Sequence, residues 1–314
     1  MRTLICFFLT IFLFTLSNCY GAEKIIVLLD WFANPDHAPL FIAKEKGFFK
    51  KQNIDVELIG PADSADPPKL VAADKADIAI TYQPSYLEQI DHDLPLIMIG
   101  SLIDKPLNCL VVKKKSKNIT LADLKNKRIG YSGGELSNIT LKVMLQHQRI
   151  STNDLQLINI HYALTQALLS DKVNAVTGMM RNFEIIQLEL LGQSVQAFYP
   201  EENGMPTYSE LIFVANRNQI QSKRKLFSKF FIALNEAVAY VKKHPEETWE
   251  LFSKSHPELN NTLNHRAWLK TIPYFSDDAE AINIPDFIYF AKFMQENGLI
   301  KKVQPLSNYL ILKE

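Results

Sequence analysis

The chain has 314 residues, 47% of them hydrophobic, with 34 basic and 34 acidic side chains and 3 cysteines. Length and apolar content fit a folded protein of about two domains, and the balanced charge leaves no electrostatic footprint for nucleic acid. Two of the cysteines, Cys6 and Cys19, sit near the N-terminus; without them Cys109 is alone, which excludes an internal disulfide.

Met1-Arg2 opens the chain with a positive charge, and Leu4 to Leu16 is apolar apart from Thr10 and Thr15. That run is short for a membrane helix and suits a secretory leader, with small Gly21 and Ala22 at the cleavage point. Residues 1–22 are expected to be removed, giving a free periplasmic protein with one net negative charge, since only Arg2 is lost from 34 basic against 34 acidic residues. A lipid anchor on Cys19 is the alternative, although Asn18 is unusual before a lipid-bearing cysteine. Cys109 lies in the apolar run Leu107 to Val112 and reads as a small buried hydrophobe.

The mature part begins with a strand over Ile25 to Leu29 and a helix from about Pro39 to Gly47. The loop between them holds Asp30, Trp31, Asn34, Asp36 and His37. In an open α/β sheet ligands bind beyond the carboxyl ends of the strands, so this loop is a candidate ligand mouth. A packed Trp in a polar connection is the plainer alternative. Ile54 to Leu58 alternates like a half-exposed strand, Lys69 to Ala73 reads as a short helix, and Ile78 to Ile80 is a strand that runs into Tyr82. Pro95 to Ile99 and Leu107 to Val112 are further strands. Lys113 to Lys117 is a basic run, read as a solvated turn.

A second βα series starts at Arg128 to Tyr131, whose turn Ser132-Gly133-Gly134-Glu135 leads into a helix. Such a turn offers free N–H groups to an anion or a polar ring edge, or is a plain tight turn. Strands are expected at 157–160 and 173–176, helices at 164–169 and around Phe183 to Leu190, and a returning strand at 211–215. Glu184 falls just after a strand end near Thr177-Gly178, where its carboxylate either accepts from a ligand amine or stabilises its own helix start. Tyr208 and Glu210 precede the returning strand; Glu210 either meets ligand or pairs with a lobe-crossing residue. Beyond it lie an amphipathic helix over 222–243, with Phe227, Phe230 and Phe231 inward, and helices at 245–253, 262–270 and 285–297. Repeated βα units without a long linker imply two α/β lobes, each a mainly parallel sheet flanked by helices. The boundaries are set at 23–110 with 213–314 for the first lobe and 111–212 for the second, with crossings near 108–113 and 211–216.

No GxSxG, P-loop or GxGxxG is present, and the seven histidines show no ligand spacing, so no catalytic or metal residue is assigned. Asp30-Trp31-Phe32, Asn34, His37 and the run Ala43 to Phe49 resemble the opening of the solute-binding family that includes thiamine pyrimidine precursor binding proteins and eukaryotic pyrimidine synthases. The resemblance weakens after about residue 245. It implies a type II periplasmic-binding-protein fold with two hinge crossings, a monomer without cofactor that passes an aminopyrimidine to the membrane permease of an ABC transporter. It also implies ligand contacts from Asp30, Trp31, Asn34, His37, Ser132, Gly133, Gly134 and Glu184, to which Tyr82 and Tyr208 are added because their places at strand ends suit them to sandwich a flat ring with Trp31. Two alternatives accompany it. One is a pyrimidine synthase using pyridoxal phosphate and iron, whose CCCFC motif is missing here; only Lys69 and Lys75, and no His, lie in the 63–75 region where its reactive pair would be sought. The other is a binder of sulfonate or nitrate.

Overall fold

The computed structural model describes residues 21–114, 119–132 and 135–311. Residues 1–20, with Cys6, Cys19 and the apolar run read above as a leader, and the glycine pair Gly133-Gly134 lie outside the described residues. Among those described, no helix is long and apolar enough to cross a membrane.

The strands are β1 (Glu23–Leu28), β2 (Ile54–Ile59), β3 (Ile78–Thr81), β4 (Leu96–Ile103), β5 (Asn108–Lys113), β6 (Arg128–Tyr131), β7 (Gln156–Asn159), β8 (Ala175–Met180), β9 (Val195–Phe198) and β10 (Leu211–Asn216). They form two five-stranded sheets, in the orders β2-β1-β3-β10-β4 and β7-β6-β8-β5-β9. Each sheet follows one plan. Four strands run parallel and one runs against them: β10 in the first sheet and β5 in the second.

The helices are α1 (Ala38–Glu45), α2 (Phe48–Lys51), α3 (Pro67–Ala72), α4 (Gln83–Asp91), α5 (Glu135–His147), α6 (Leu164–Leu169), α7 (Glu184–Leu190), α8 (Ile220–Lys243), α9 (Pro245–Ser255), α10 (Thr262–Thr271) and α11 (Ile284–Glu296). Alternation of side chains along each strand sends apolar residues to both faces, so each sheet is sandwiched between two cores. Ile25, Val27 and Phe213 enter one core of the first sheet with Phe227, Phe230 and Phe231 of α8; Leu28, Ile212 and Val214 enter the other. In the second sheet Cys109 and Val111 face one core, Leu110 and Val112 the other. Cys109 is fully buried and its thiol donates to the Met179 carbonyl at 3.1 Å. Burial pushes that thiol far above its ordinary range, which keeps it inert.

Several expectations shift. The sequence reading ended a strand near Thr177-Gly178, but β8 continues to Met180 through a bulge. The ladder to β5 passes from Met179 to Thr177, skipping Gly178, whose φ of 92° is open to glycine. Helix α4 and edge strand β9 were not anticipated: α4 is short with a proline in its first turn, and the β9 side chains are all half-buried, without alternation. The chain leaves the first sheet after Ile103 and returns at Leu211, so β5 lies wholly in the second sheet. The first crossing therefore precedes the expected 108–113, because the apolar run gives no local mark of the change and only its ladder to β8 and β9 assigns it.

Candidate functional site

The carboxyl ends of the parallel strands of both sheets converge on one cleft of about 600 Å³, counting the space at its mouth. From the first sheet, the loop after β1 brings Asp30, Trp31, Phe32, Asn34 and Asp36, the loop after β2 brings Ser64, and the end of β3 brings Tyr82. The second sheet contributes Asn108 at the start of β5, Ser132 after β6, Leu164 at the start of α6, and Gly178, Met180, Phe183 and Glu184 around the end of β8. Main-chain geometry explains this: in both sheets these ends point the same way, towards the partner lobe.

Six of the residues singled out from sequence line the cleft together: Asp30, Trp31, Asn34, Tyr82, Ser132 and Glu184. Tyr82 donates its hydroxyl to Asp30 Oδ2 at 2.6 Å, and His37 Nε2 lies 2.9 Å from Asp30 Oδ1. His37 is fully buried behind Asp30 and does not reach the cleft surface; it braces the carboxylate from the rear. Asn34 shapes its own loop, accepting from the Asp36 N–H at 2.8 Å and donating to the Phe32 carbonyl at 3.0 Å. That cap, followed by Pro35, starts a single 3-10 turn at Pro35–His37. Tyr208 departs from expectation. It is 2% exposed, packs on Phe290 and does not line this cleft. Its aromatic ring completes a core of the first lobe, a role that its position before a strand does not reveal. Gly133 and Gly134 lie outside the described residues.

Trp31 spans the lobes. It meets Tyr162 edge-on with centroids 4.4 Å apart and packs against a core of the second sheet. Around it the mouth is bridged: the Tyr162 hydroxyl donates to the Pro61 carbonyl at 3.3 Å, and the hydroxyls of Ser64 and Ser132 are 3.3 Å apart. Deeper, Asn182 of the second lobe donates to Asp36, and Thr271 of α10 donates to the same oxygen at 3.0 Å.

Burial raises the Asp36 carboxyl to about 6, offset in part by the neighbouring His37. Burial likewise raises Glu184 to about 7, although it accepts the Met180 N–H at 2.7 Å. The Tyr82 hydroxyl is held well above its ordinary value by burial and then by the Asp30 charge. Glu210 is not a cleft residue: its Oε2 accepts from the Leu107 and Asn108 N–H groups at 2.6 and 3.0 Å, joining the two lobe crossings.

Sequence reasoning places Asp36 in the mouth loop without counting it as a ligand contact, and overlooks Ser64 and Asn108 as lining residues. Asn108 had a usable signal, a polar residue at the head of an apolar strand. Ser64 had none, since a serine in a polar turn is ordinary. A lysine-borne pyridoxal phosphate does not fit: among the described residues no lysine lines the cleft, and Lys69 and Lys75 are exposed elsewhere. Among the described residues no group of three or more His, Cys, Asp or Glu side chains is arranged to hold a metal.

The NMT1/THI5 like family model matches residues 34–248. A Haemophilus influenzae protein provisionally named as a thiamine biosynthesis protein is 43% identical over 314 residues, covering 99% of both chains. The formylaminopyrimidine-binding protein of Halalkalibacterium halodurans is 26% identical across 79% of this chain and 76% of that one. The 4-amino-5-hydroxymethyl-2-methylpyrimidine phosphate synthase of Aspergillus parasiticus is 27% identical across 84% and 80%. Among solved structures, the alkanesulfonate-binding protein SsuA of Xanthomonas axonopodis pv. citri matches with a TM-score of 0.70 at 15% identity, over 89% of this chain and 95% of that one. At that identity the likeness concerns the fold, which is the two-lobed fold of periplasmic binding proteins.

Proposed function

The chain belongs to the NMT1/THI5-like family, and from that premise we propose that it is the periplasmic solute-binding component of an ABC importer. Its ligand is a thiamine pyrimidine precursor, an aminopyrimidine such as formylaminopyrimidine or hydroxymethylpyrimidine, enclosed between the lobes. The leader in residues 1–22 directs export, and the membrane permease receives the ligand-closed form.

One observation carries this reading: the charge of the cleft. Asp30, Asp36 and Glu184 line it beside Trp31, Phe32, Tyr82 and Phe183, and among the described residues no Lys or Arg does. A neutral flat ring gains apolar contact with the aromatic side chains while its exocyclic amine donates to a carboxylate. A sulfonate or nitrate would bring its charge into a lining whose ionisable groups are acids and a tyrosine. The contacts bridging Trp31, Ser64 and Ser132 to the opposite lobe or its loops suit a ligand enclosed by hinge closure. The synthase relatives supply the enzymatic alternative, against which stands the absence of a lysine from the cleft among the described residues.

A thermal-shift screen of the mature protein with formylaminopyrimidine, hydroxymethylpyrimidine, an alkanesulfonate and nitrate tests the proposal. Ligand at a hundred times its Kd stabilises by about 2.7 kcal/mol, well within detection. Stabilisation by the pyrimidines alone is expected. A response to sulfonate or nitrate without one to pyrimidine would overturn the ligand class, and pyrimidine phosphate formed from pyridoxal phosphate and iron would favour the synthase.

A further inference from the structure

Asn108 opens β5, whose next four residues, Cys109 to Val112, are all apolar and buried. Its own side chain is fully buried, yet it lines the cleft. Three of its polar groups are committed. The main-chain N–H donates to Glu210 Oε2 at 3.0 Å, the carbonyl accepts from Arg181 Nη2 at 3.3 Å, and Oδ1 accepts from Thr140 Oγ1 at 3.4 Å. The fourth is not: Nδ2, a donor of two hydrogens, has no partner. A buried amide donor without an acceptor is unfavourable, and the pinned main chain cannot swing it away.

Its neighbour on the sheet is informative. Asn108 pairs across the ladder with Met180, and the Met180 N–H donates to Glu184 Oε2 at 2.7 Å. The unpaired donor and the cleft carboxylate thus both border Met180 at one end of the second sheet, and both line the cleft. An ionised carboxylate only accepts, so Glu184 serves an exocyclic amine but offers nothing to the ring nitrogen beside it. A 4-aminopyrimidine presents both, a donor next to an acceptor.

We propose that Asn108 Nδ2 donates to a ring nitrogen of the ligand while Glu184 accepts from the adjacent amine, so that the two residues read the donor–acceptor edge of an aminopyrimidine. The proposal rests on the pyrimidine reading and adds the specificity-determining residue that separates an aminopyrimidine from an arylamine of the same shape. Glu184 alone would accept either one. Because the Asn108 main chain is also tied to Glu210 of the other crossing, the donor is anchored where the lobes join.

The test is titration calorimetry at pH 8, above the value of about 7 held by Glu184. The ligands are 4-amino-5-hydroxymethyl-2-methylpyrimidine and its benzene analogue, in which both ring nitrogens are C–H. Asn108→Ala should weaken the pyrimidine by about tenfold and leave the benzene analogue nearly unchanged, the loss expected for one hydrogen bond. Equal losses for both ligands, or no loss for the pyrimidine, would overturn the proposal. Circular dichroism establishes that the variant folds. Should it not fold, the wild type decides: it must prefer the pyrimidine to the benzene analogue by about tenfold or more, and equal affinities refute the assignment. Absence of any pyrimidine binding by the wild type would remove the ligand class as well, whereas retained binding without selective loss removes Asn108 alone.

Discussion

Glu184 and Glu210 are both buried, and burial raises each from an ordinary 4.5 to about 7, yet they occupy different parts of the molecule. Glu210 holds the two lobe crossings together through two main-chain donors, and its charge is eased by Arg181. Glu184 accepts the Met180 N–H, lines the cleft, and has the Asp36 charge nearby raising it further. A displaced carboxyl therefore does not by itself mark a ligand site; what surrounds the carboxyl does. At Glu210 one carboxylate oxygen is held by two main-chain N–H groups and the Tyr208 hydroxyl lies beside the group, a structural role. At Glu184 the same burial leaves a group facing the space a ligand would fill.

The contrast breaks most sharply in stability. Glu210→Ala leaves two buried N–H groups without an acceptor and should cost about 3 kcal/mol or more in urea denaturation. Glu184→Ala should cost about 1 kcal/mol, since it frees only one such group beside the cleft. Equal losses would dissolve the distinction.

The dependence on pH tests what the two share. In the unfolded chain both carboxyls titrate near 4.5, and in the folded protein near 7, so the folded state holds more protons between those values. Stability should fall as pH rises from about 4.5 to 7, by up to roughly 3 kcal/mol per group, and then level. Asp36, raised from 3.8 to about 6, acts with the same sign over a lower window. Glu184→Gln and Glu210→Gln should each flatten the curve. A wild-type protein that gains stability across that window would contradict the burial assigned to these groups.

Ligand affinity should separate the pair again. Glu184→Gln presents an amide where an acceptor is needed and is expected to weaken aminopyrimidine binding by about one to two decades in calorimetry. The smallest effect belongs to Tyr208→Phe. The Tyr208 hydroxyl is buried beside the Glu210 carboxyl and does not line the cleft, so its removal should alter stability by about 1 kcal/mol and leave affinity unchanged. A tenfold loss of affinity, about 1.4 kcal/mol, would return Tyr208 to the site.

Much of the fold was legible because its signals are local. The apolar runs of β1, β3 and β10 and the amphipathic period of α8 lie within short windows of sequence. The ligand loop after β1 could be located for the same reason, since strand ends in α/β sheets are where such loops gather. Helix α4 escaped because Gln83-Pro84 reads as a turn until Tyr86, Leu87 and Ile90 are seen buried on one face. His37 and Tyr208 illustrate the opposite limit. Each sits within or beside a motif of the right kind, and only packing decides whether its side chain faces the cleft or the interior.

By itself, then, the sequence determined most of the elements, α4 and β9 apart, with the α/β class, the family and the loop that opens the site, all of which follow from residues close together along the chain. The tertiary structure decided which groups meet. Glu210 finds Leu107 at a separation of 103 residues, Asn182 finds Asp36 at 146, and Thr271 finds Asp36 at 235. No local period encodes such pairings. They arise when two separately patterned sheets turn the same ends towards each other, and that geometry makes one glutamate a staple between crossings and leaves the other facing the cleft.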